Sequence, residues 1–98
     1  MKAAGWRIGE AKDYLDLEEV DAQLVEMKLT LARKLRELRE QLEITQEKLA
    51  NRLGSSQSRV AKIEAGDPSV SMELLMRSLL AAGADRSEIG RSLASRRR

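Results

Sequence analysis

Neither cysteine nor histidine occurs in the 98 residues. Without cysteine there is no disulfide framework and no thiolate metal site. Without histidine the chain lacks the commonest metal ligand and general base, so neither a metal nor any other cofactor is expected. Phenylalanine is also missing, and Trp6 and Tyr14 are the only aromatic residues. A core must therefore be built from leucine, isoleucine, valine, methionine and alanine, which suits packed helices. β-Branched residues are sparse and never alternate cleanly with polar ones, so strands are not expected. Apolar stretches are only a few residues long, too short to span a membrane. No apolar segment follows the early Lys2 as a secretory signal would require. The expectation is one cytoplasmic domain, with a core small enough to gain from pairing with a second copy.

Charge is present in quantity but unevenly spread. The formal net charge is +2, yet residues 1–26 carry −4 and residues 27–98 carry +6. A basic segment of this kind suits a phosphate-binding surface.

Residues 1–16 contain Trp6, Ile8, Tyr14 and Leu15 but no sustained period, and form an N-terminal arm. Asp16 is placed to cap a helix, with Glu19 three residues later as in a capping box. Apolar residues then recur at positions 17, 20, 24, 27, 31, 35, 38 and 42, a helical seam uninterrupted by glycine or proline. This predicts a helix over 17–43, about 40 Å long, with 27–30 as a point of breakage where acidic sequence gives way to basic. Thr45 caps the next helix, which ends at Gly54, the residue type best suited to a left-handed terminus. Ser56 caps a third that stops at Gly66, Asp67-Pro68 forms a loop, and Ser71 caps a fourth that ends at Gly83. Asp85 and Glu88 open a short last helix before Arg96, Arg97 and Arg98, a basic tail. The expected fold is all-α: a bundle of about five helices over 17–95, with a helix-turn-helix at 45–66, between the arm and the tail at 96–98.

The most informative run is 45–66. At 100° per residue the third helix turns Val60 and Ile63 to one side, where they must be buried. Ser58, Ala61, Lys62 and Ala65 centre on the opposite side, with Gln57 and Arg59 at the edges. No bulky apolar residue would block entry to a major groove. Gln57 can donate and accept together, as an adenine edge requires. Ser58 can bond a base or a phosphate, and Lys62 a guanine acceptor or a phosphate. Arg59 and Arg39 suit phosphate by charge and position. Gln46, at the opening of the preceding helix, sits where free N–H groups and the helix dipole favour an anion.

Residues 45–66 resemble the helix-turn-helix of phage-repressor, or XRE-type, transcription regulators. The matching residues are Thr45, Gln46, Leu49, Ala50, Gly54, Ser56, Gln57, Ser58, Val60, Ile63, Glu64 and Gly66, and the likeness extends over about 31–83. It implies base contacts from Gln57, Ser58 and Lys62 and a phosphate contact from Gln46. It also implies that Glu64 is structural and pairs with an arginine of the first helix, here Arg36 or Arg33. The flanks, Trp6-Arg7-Ile8-Gly9, Tyr14-Leu15-Asp16-Leu17, Ser71-Met72-Glu73-Leu74-Leu75 and Ala82-Gly83-Ala84, are similar to HigA-type antitoxins, which bind a small ribonuclease toxin and repress their own operon.

An acidic N-terminal region would attract a basic ribonuclease, with Trp6 and Tyr14 either anchoring that partner or covering the chain's own core. The stripe Leu17, Val20, Leu24, Met27 and Leu31 also has the spacing of a dimer seam. Three functions are consistent with these observations. One is an autorepressing antitoxin that binds operator DNA as a homodimer. The others are a stand-alone repressor whose arm serves dimerisation, and a protein-binding adaptor that keeps the fold without DNA. No phosphate loop appears and the carboxylates sit on amphipathic helix surfaces, so an enzyme is not expected.

Overall fold

The computed structural model describes residues 16–95. Trp6, Tyr14, the rest of the arm up to residue 15, and Arg96, Arg97 and Arg98 lie outside the described residues. Among the described residues there are five helices and no strands: α1 (Leu17–Gln41), α2 (Gln46–Leu53), α3 (Gln57–Glu64), α4 (Met72–Ala81) and α5 (Arg86–Ala94).

Each helix starts where a short polar side chain takes over a backbone N–H that the helix leaves unbonded. Asp16 Oδ1 accepts from the Glu19 N–H at 2.9 Å, Thr45 Oγ1 from Lys48 at 3.0 Å, Ser56 Oγ from Arg59 at 3.2 Å and Ser71 Oγ from Leu74 at 3.0 Å. Asp85 makes the complete capping box. Its carboxylate accepts from the Glu88 N–H at 2.8 Å, and its own N–H donates to Glu88 Oε1 at 3.2 Å.

Helix α1 does not break at 27–30. The change of charge there alters the surface but leaves the backbone ladder intact, and no glycine or proline interrupts it. The helix also stops short of residue 43: Leu42 is its C-cap, and Glu43 turns left-handed with φ of 59°. The Ile44 N–H then reaches back to the Arg39 carbonyl at 3.3 Å, closing the helix end.

Only the second half of α1 enters the core. Its Leu31 and Leu35 are fully buried, and around them pack Leu49 of α2, Val60 and Ile63 of α3, and Leu75 and Leu79 of α4. Full burial of each such side chain is worth about 1.5–3 kcal/mol. Helix α1 packs on α3, α4 and α5, while α2 and α3 pack on each other. The buried hydroxyl of Ser78 donates to the Leu74 carbonyl at 2.7 Å, so it carries no desolvation penalty into the core. This arrangement leaves one side of α3 free and holds the other rigidly.

Candidate nucleic-acid interface

The angle between α2 and α3 is set by a short turn. Gly54 adopts a left-handed conformation, φ 66° and ψ 39°, and the Ser55 N–H returns to the Ala50 carbonyl at 2.8 Å. Only glycine takes that conformation without strain. Ala50, buried beside Leu49, is small enough to let the helices approach. Ser56 then starts α3 immediately.

Val60 and Ile63 are buried, as the helical spacing required, while Gln57, Ser58, Arg59 and Lys62 are exposed. A helix held from behind with a polar outer face is the geometry that lets side chains enter a groove of DNA.

Behind that face lies a hydrogen-bonded chain running from the core edge to the surface. Arg39 and Glu64 form a two-pronged ion pair, Nε to Oε2 at 2.6 Å and Nη2 to Oε1 at 3.1 Å. The arginine and glutamate side chains keep only 14% and 4% of their exposure. Arg39 Nη1 also donates to the Ile44 carbonyl at 2.9 Å, tying α1 to the start of α2. Hydrogen bonding to Glu64 raises the Arg39 pKa above its ordinary value despite the opposing effect of burial, and the Glu64 and Glu40 charges add to the rise.

The chain continues outward. Gln46 Nε2 donates to Glu64 Oε1 at 3.1 Å, and Gln57 Nε2 donates to Gln46 Oε1 at 3.4 Å. A carboxylate only accepts, so Gln46 must present its NH₂ to Glu64 and its carbonyl to Gln57. Gln57 is thereby set to donate inward, leaving one N–H and its carbonyl oxygen for an outside partner. That remaining pair is what an adenine edge takes.

Beside α3 a shallow groove of about 200 Å³ is lined by Ser56, Ser58, Arg59, Lys62 and Ser69, with Val70 and Leu74 as its apolar part. The Ser56 and Ser58 hydroxyls and the two cations suit an anionic backbone. Ser69 is an addition that sequence reasoning missed. Its N–H and hydroxyl both donate to Asp67 Oδ1, at 2.8 and 2.6 Å. These bonds, the hydroxyl one foremost, hold the Asp67 carboxyl below the usual carboxylate range, with Lys62 and Lys28 acting in the same direction. The spacing Asp67-Pro68-Ser69 was the available signal, since aspartate readily bonds the backbone two residues on.

Two assignments change. The partner of Glu64 is Arg39, not Arg36 or Arg33. Arg36 instead bonds its neighbour Glu40 at 3.1 Å on the surface. The same pairing removes Arg39 from the phosphate-facing set, because its guanidinium is spent on Glu64 and Ile44. The helical wheel carried the signal: Arg39 falls within the arc of Ala32, Leu35 and Leu38, whereas Arg33 and Arg36 fall outside it. The Gln46 side chain is likewise directed at Glu64 and Gln57. Its backbone N–H and that of Glu47, the first two of α2, make no hydrogen bond among the described residues.

The described residues hold no cluster of acidic side chains suited to a metal ion, and no helix among them is long and apolar enough to cross a membrane. A protein-family model described as helix-turn-helix matches residues 35–77. That segment is similar to helix-turn-helix units of the XRE type. Comparison with curated proteins and with solved structures gave no match.

Proposed function

We propose that this chain is a sequence-specific repressor that binds operator DNA as a homodimer. The observation that carries this reading is the exposed face of α3, with Gln57 oriented through Gln46 and Glu64 from the core edge. Gln57, Ser58 and Lys62 read base edges. Arg59 and the free N–H groups at the start of α2 meet phosphates, Gln46 acting there through its backbone. Two copies place their recognition helices in successive major grooves about 34 Å apart, so the operator is approximately palindromic. Repression follows from occupancy of the promoter.

The test is a gel-shift titration with the cognate site and a scrambled one. Gln57→Ala combined with Lys62→Ala is expected to remove the difference between the two sites while the helical circular dichroism is unchanged. Retained selectivity would put the reading helix elsewhere.

Within this reading the chain is an antitoxin that neutralises a small basic ribonuclease and represses their shared operon. The acidic residues from Asp16 to Glu26 favour this over a repressor acting alone, because a protein that grips RNA is usually basic. Co-expression with the product of an adjacent small reading frame checks it. Growth arrest by that product alone and rescue by this chain are expected. Arrest without rescue would leave only the repressor.

A further inference from the structure

The apolar stripe that α1 buries at Leu31, Leu35 and Leu38 does not end at the edge of the core. It runs on toward the N-terminus through Met27, Leu24, Val20 and Leu17 along the same side of the helix. Leu31 is fully buried, whereas Leu24 is 45% and Leu17 78% exposed. At 3.6 residues per turn, Asp21 and Lys28 border one edge of this extension and Asp16 and Gln23 the other. Glu18, Glu19 and Glu26 lie on the far side of the helix, away from anything laid on the stripe.

The two edges suit a second copy in one orientation. In a parallel helix pair opposite edges meet, which would set Asp16 against Asp21 of the second copy, twice over. In an antiparallel pair each edge meets its own kind. Leu17 then layers on Met27 and Val20 on Leu24. Each Asp21 comes within about 7.5 Å, along the axis, of Lys28 of the second copy. Side chains tilt toward the N-terminus of their own helix, so Asp21 and that Lys28 lean together while the two Asp21 lean apart. The two Asp16 are about 18 Å from each other. Lys28 donates from Nζ to the Pro68 carbonyl at 3.3 Å and keeps two further donors.

The same register fits the DNA face. Layering Leu17 on Met27 puts the two-fold axis beside residue 22. Helix α3 and the turn after it hold α1 at Arg39, through Glu64, and at Leu29, which rests over Gly66. These attachments centre on residue 34, about 18 Å from the axis, so the two α3 helices stand about 36 Å apart along α1. Successive major grooves on one side of DNA are about 34–36 Å apart. Arg39, Lys28 and Leu29 also lie on average about a quarter turn round α1 from the stripe. The two-fold axis of an antiparallel pair points that way, perpendicular to the plane of the two helices, so both copies of α3 fall on one side of the dimer.

We infer that residues 17–28 of α1 are the self-association surface, joining two copies as an antiparallel helix pair that sets the spacing of the operator half-sites. This contact deepens the reading of the chain as an operator-binding homodimer and rests on it for its use. It is measurable without DNA, so the gel-shift result and the results below fail separately.

The chain has no cysteine, so introduced ones report position cleanly. Full-length Leu17→Cys and Met27→Cys chains are oxidised at high protein concentration, each alone and the two mixed. Only the mixture is expected to give a covalent dimer, because Leu17 and Met27 share a layer while like residues stand about 15 Å apart, beyond disulfide reach. In sedimentation equilibrium, Asp21→Lys and Lys28→Asp are each expected to weaken the dimer about fivefold at low salt. An equimolar mixture of those two variants is expected to form a mixed dimer at least as tight as the wild type, since every facing pair is then of opposite charge. Val20→Ser with Leu24→Ser, both at exposed positions, is expected to weaken the dimer by about tenfold or more. Cross-linking of Leu17→Cys alone would mean a parallel pair and overturn the inference. A dimer that the serine pair leaves intact, or a mixture of charge variants no tighter than either alone, would place the contact elsewhere and overturn it too. So would a wild-type monomer without any cross-link, which would leave the stripe to the chain's own arm or to a foreign protein.

Discussion

At the residue scale, Arg39 and Glu64 do two jobs at once. They join α1 to α3, and Glu64 sets the orientation of the amides that reach the surface. Removing one partner leaves a charge without compensation in a nearly buried site, the costly way to break such a pair. Arg39→Met is therefore expected to destabilise the fold by about 3 kcal/mol, read as a lower urea midpoint. Adding Glu64→Leu should recover most of that loss, because an apolar pair of similar volume needs no compensation. The recovered double variant should still bind DNA less selectively, since Gln46 has lost its acceptor and no longer directs Gln57. Gln46→Ala isolates that last step. If the side chain serves only a phosphate, all sequences lose affinity equally. With Gln46 as the acceptor for Gln57, the variant should instead lose discrimination at the base pair read by Gln57, by a factor of about 5–100 across single-base operator variants.

At the element scale, helix starts were legible to the residue and helix ends less so. Thr45, Ser56, Ser71 and Asp85 announce themselves because a short polar side chain before an apolar period has few other uses. Gly54 and Gly83 mark stops for a similar reason. The end of α1 had no such mark: Glu43 takes the left-handed position that glycine would occupy. Glu43→Gly is expected to relieve that strain and stabilise the protein by about 0.5 kcal/mol after the entropic cost of glycine, a small rise in Tm. The α3–α4 turn depends instead on ionisation. Asp67 has a folded pKa below its ordinary value of 3.8, so its bonds to Ser69 contribute fully above about pH 4 and are lost as pH falls through the lower folded value. Protection of the Ser69 amide against hydrogen exchange is therefore expected to hold at pH 6 and fall below pH 4, with Asp67→Asn abolishing that dependence.

At the scale of the whole molecule, the all-α architecture and the position of the helix-turn-helix were legible because apolar period, caps and glycines agree across 45–83. What was hidden is which charged residues turn inward, since a buried Arg39 and a solvated Arg36 are the same letter in one amphipathic helix. The distribution of charge also has a consequence that no single contact shows. The acidic start of α1 and the basic body belong to one continuous chain, so the first lowers the attraction of the second for any polyanion. Replacing Glu18, Glu19 and Glu26 by glutamine and Asp21 by asparagine removes four negative charges at exposed positions and takes the formal net charge from +2 to +6. None of these side chains is in the core or on the outer face of α3. The variant should keep its fold and its operator preference. Its affinity for non-specific DNA should rise several-fold at about 50 mM salt, where the screening length is longer than 10 Å, and the gain should vanish near 0.5 M, where screening acts within a few ångströms. An increase that persisted at high salt would mean that the acidic segment obstructs DNA by contact rather than by its field, and a fluorescence titration across the two salt concentrations distinguishes the cases.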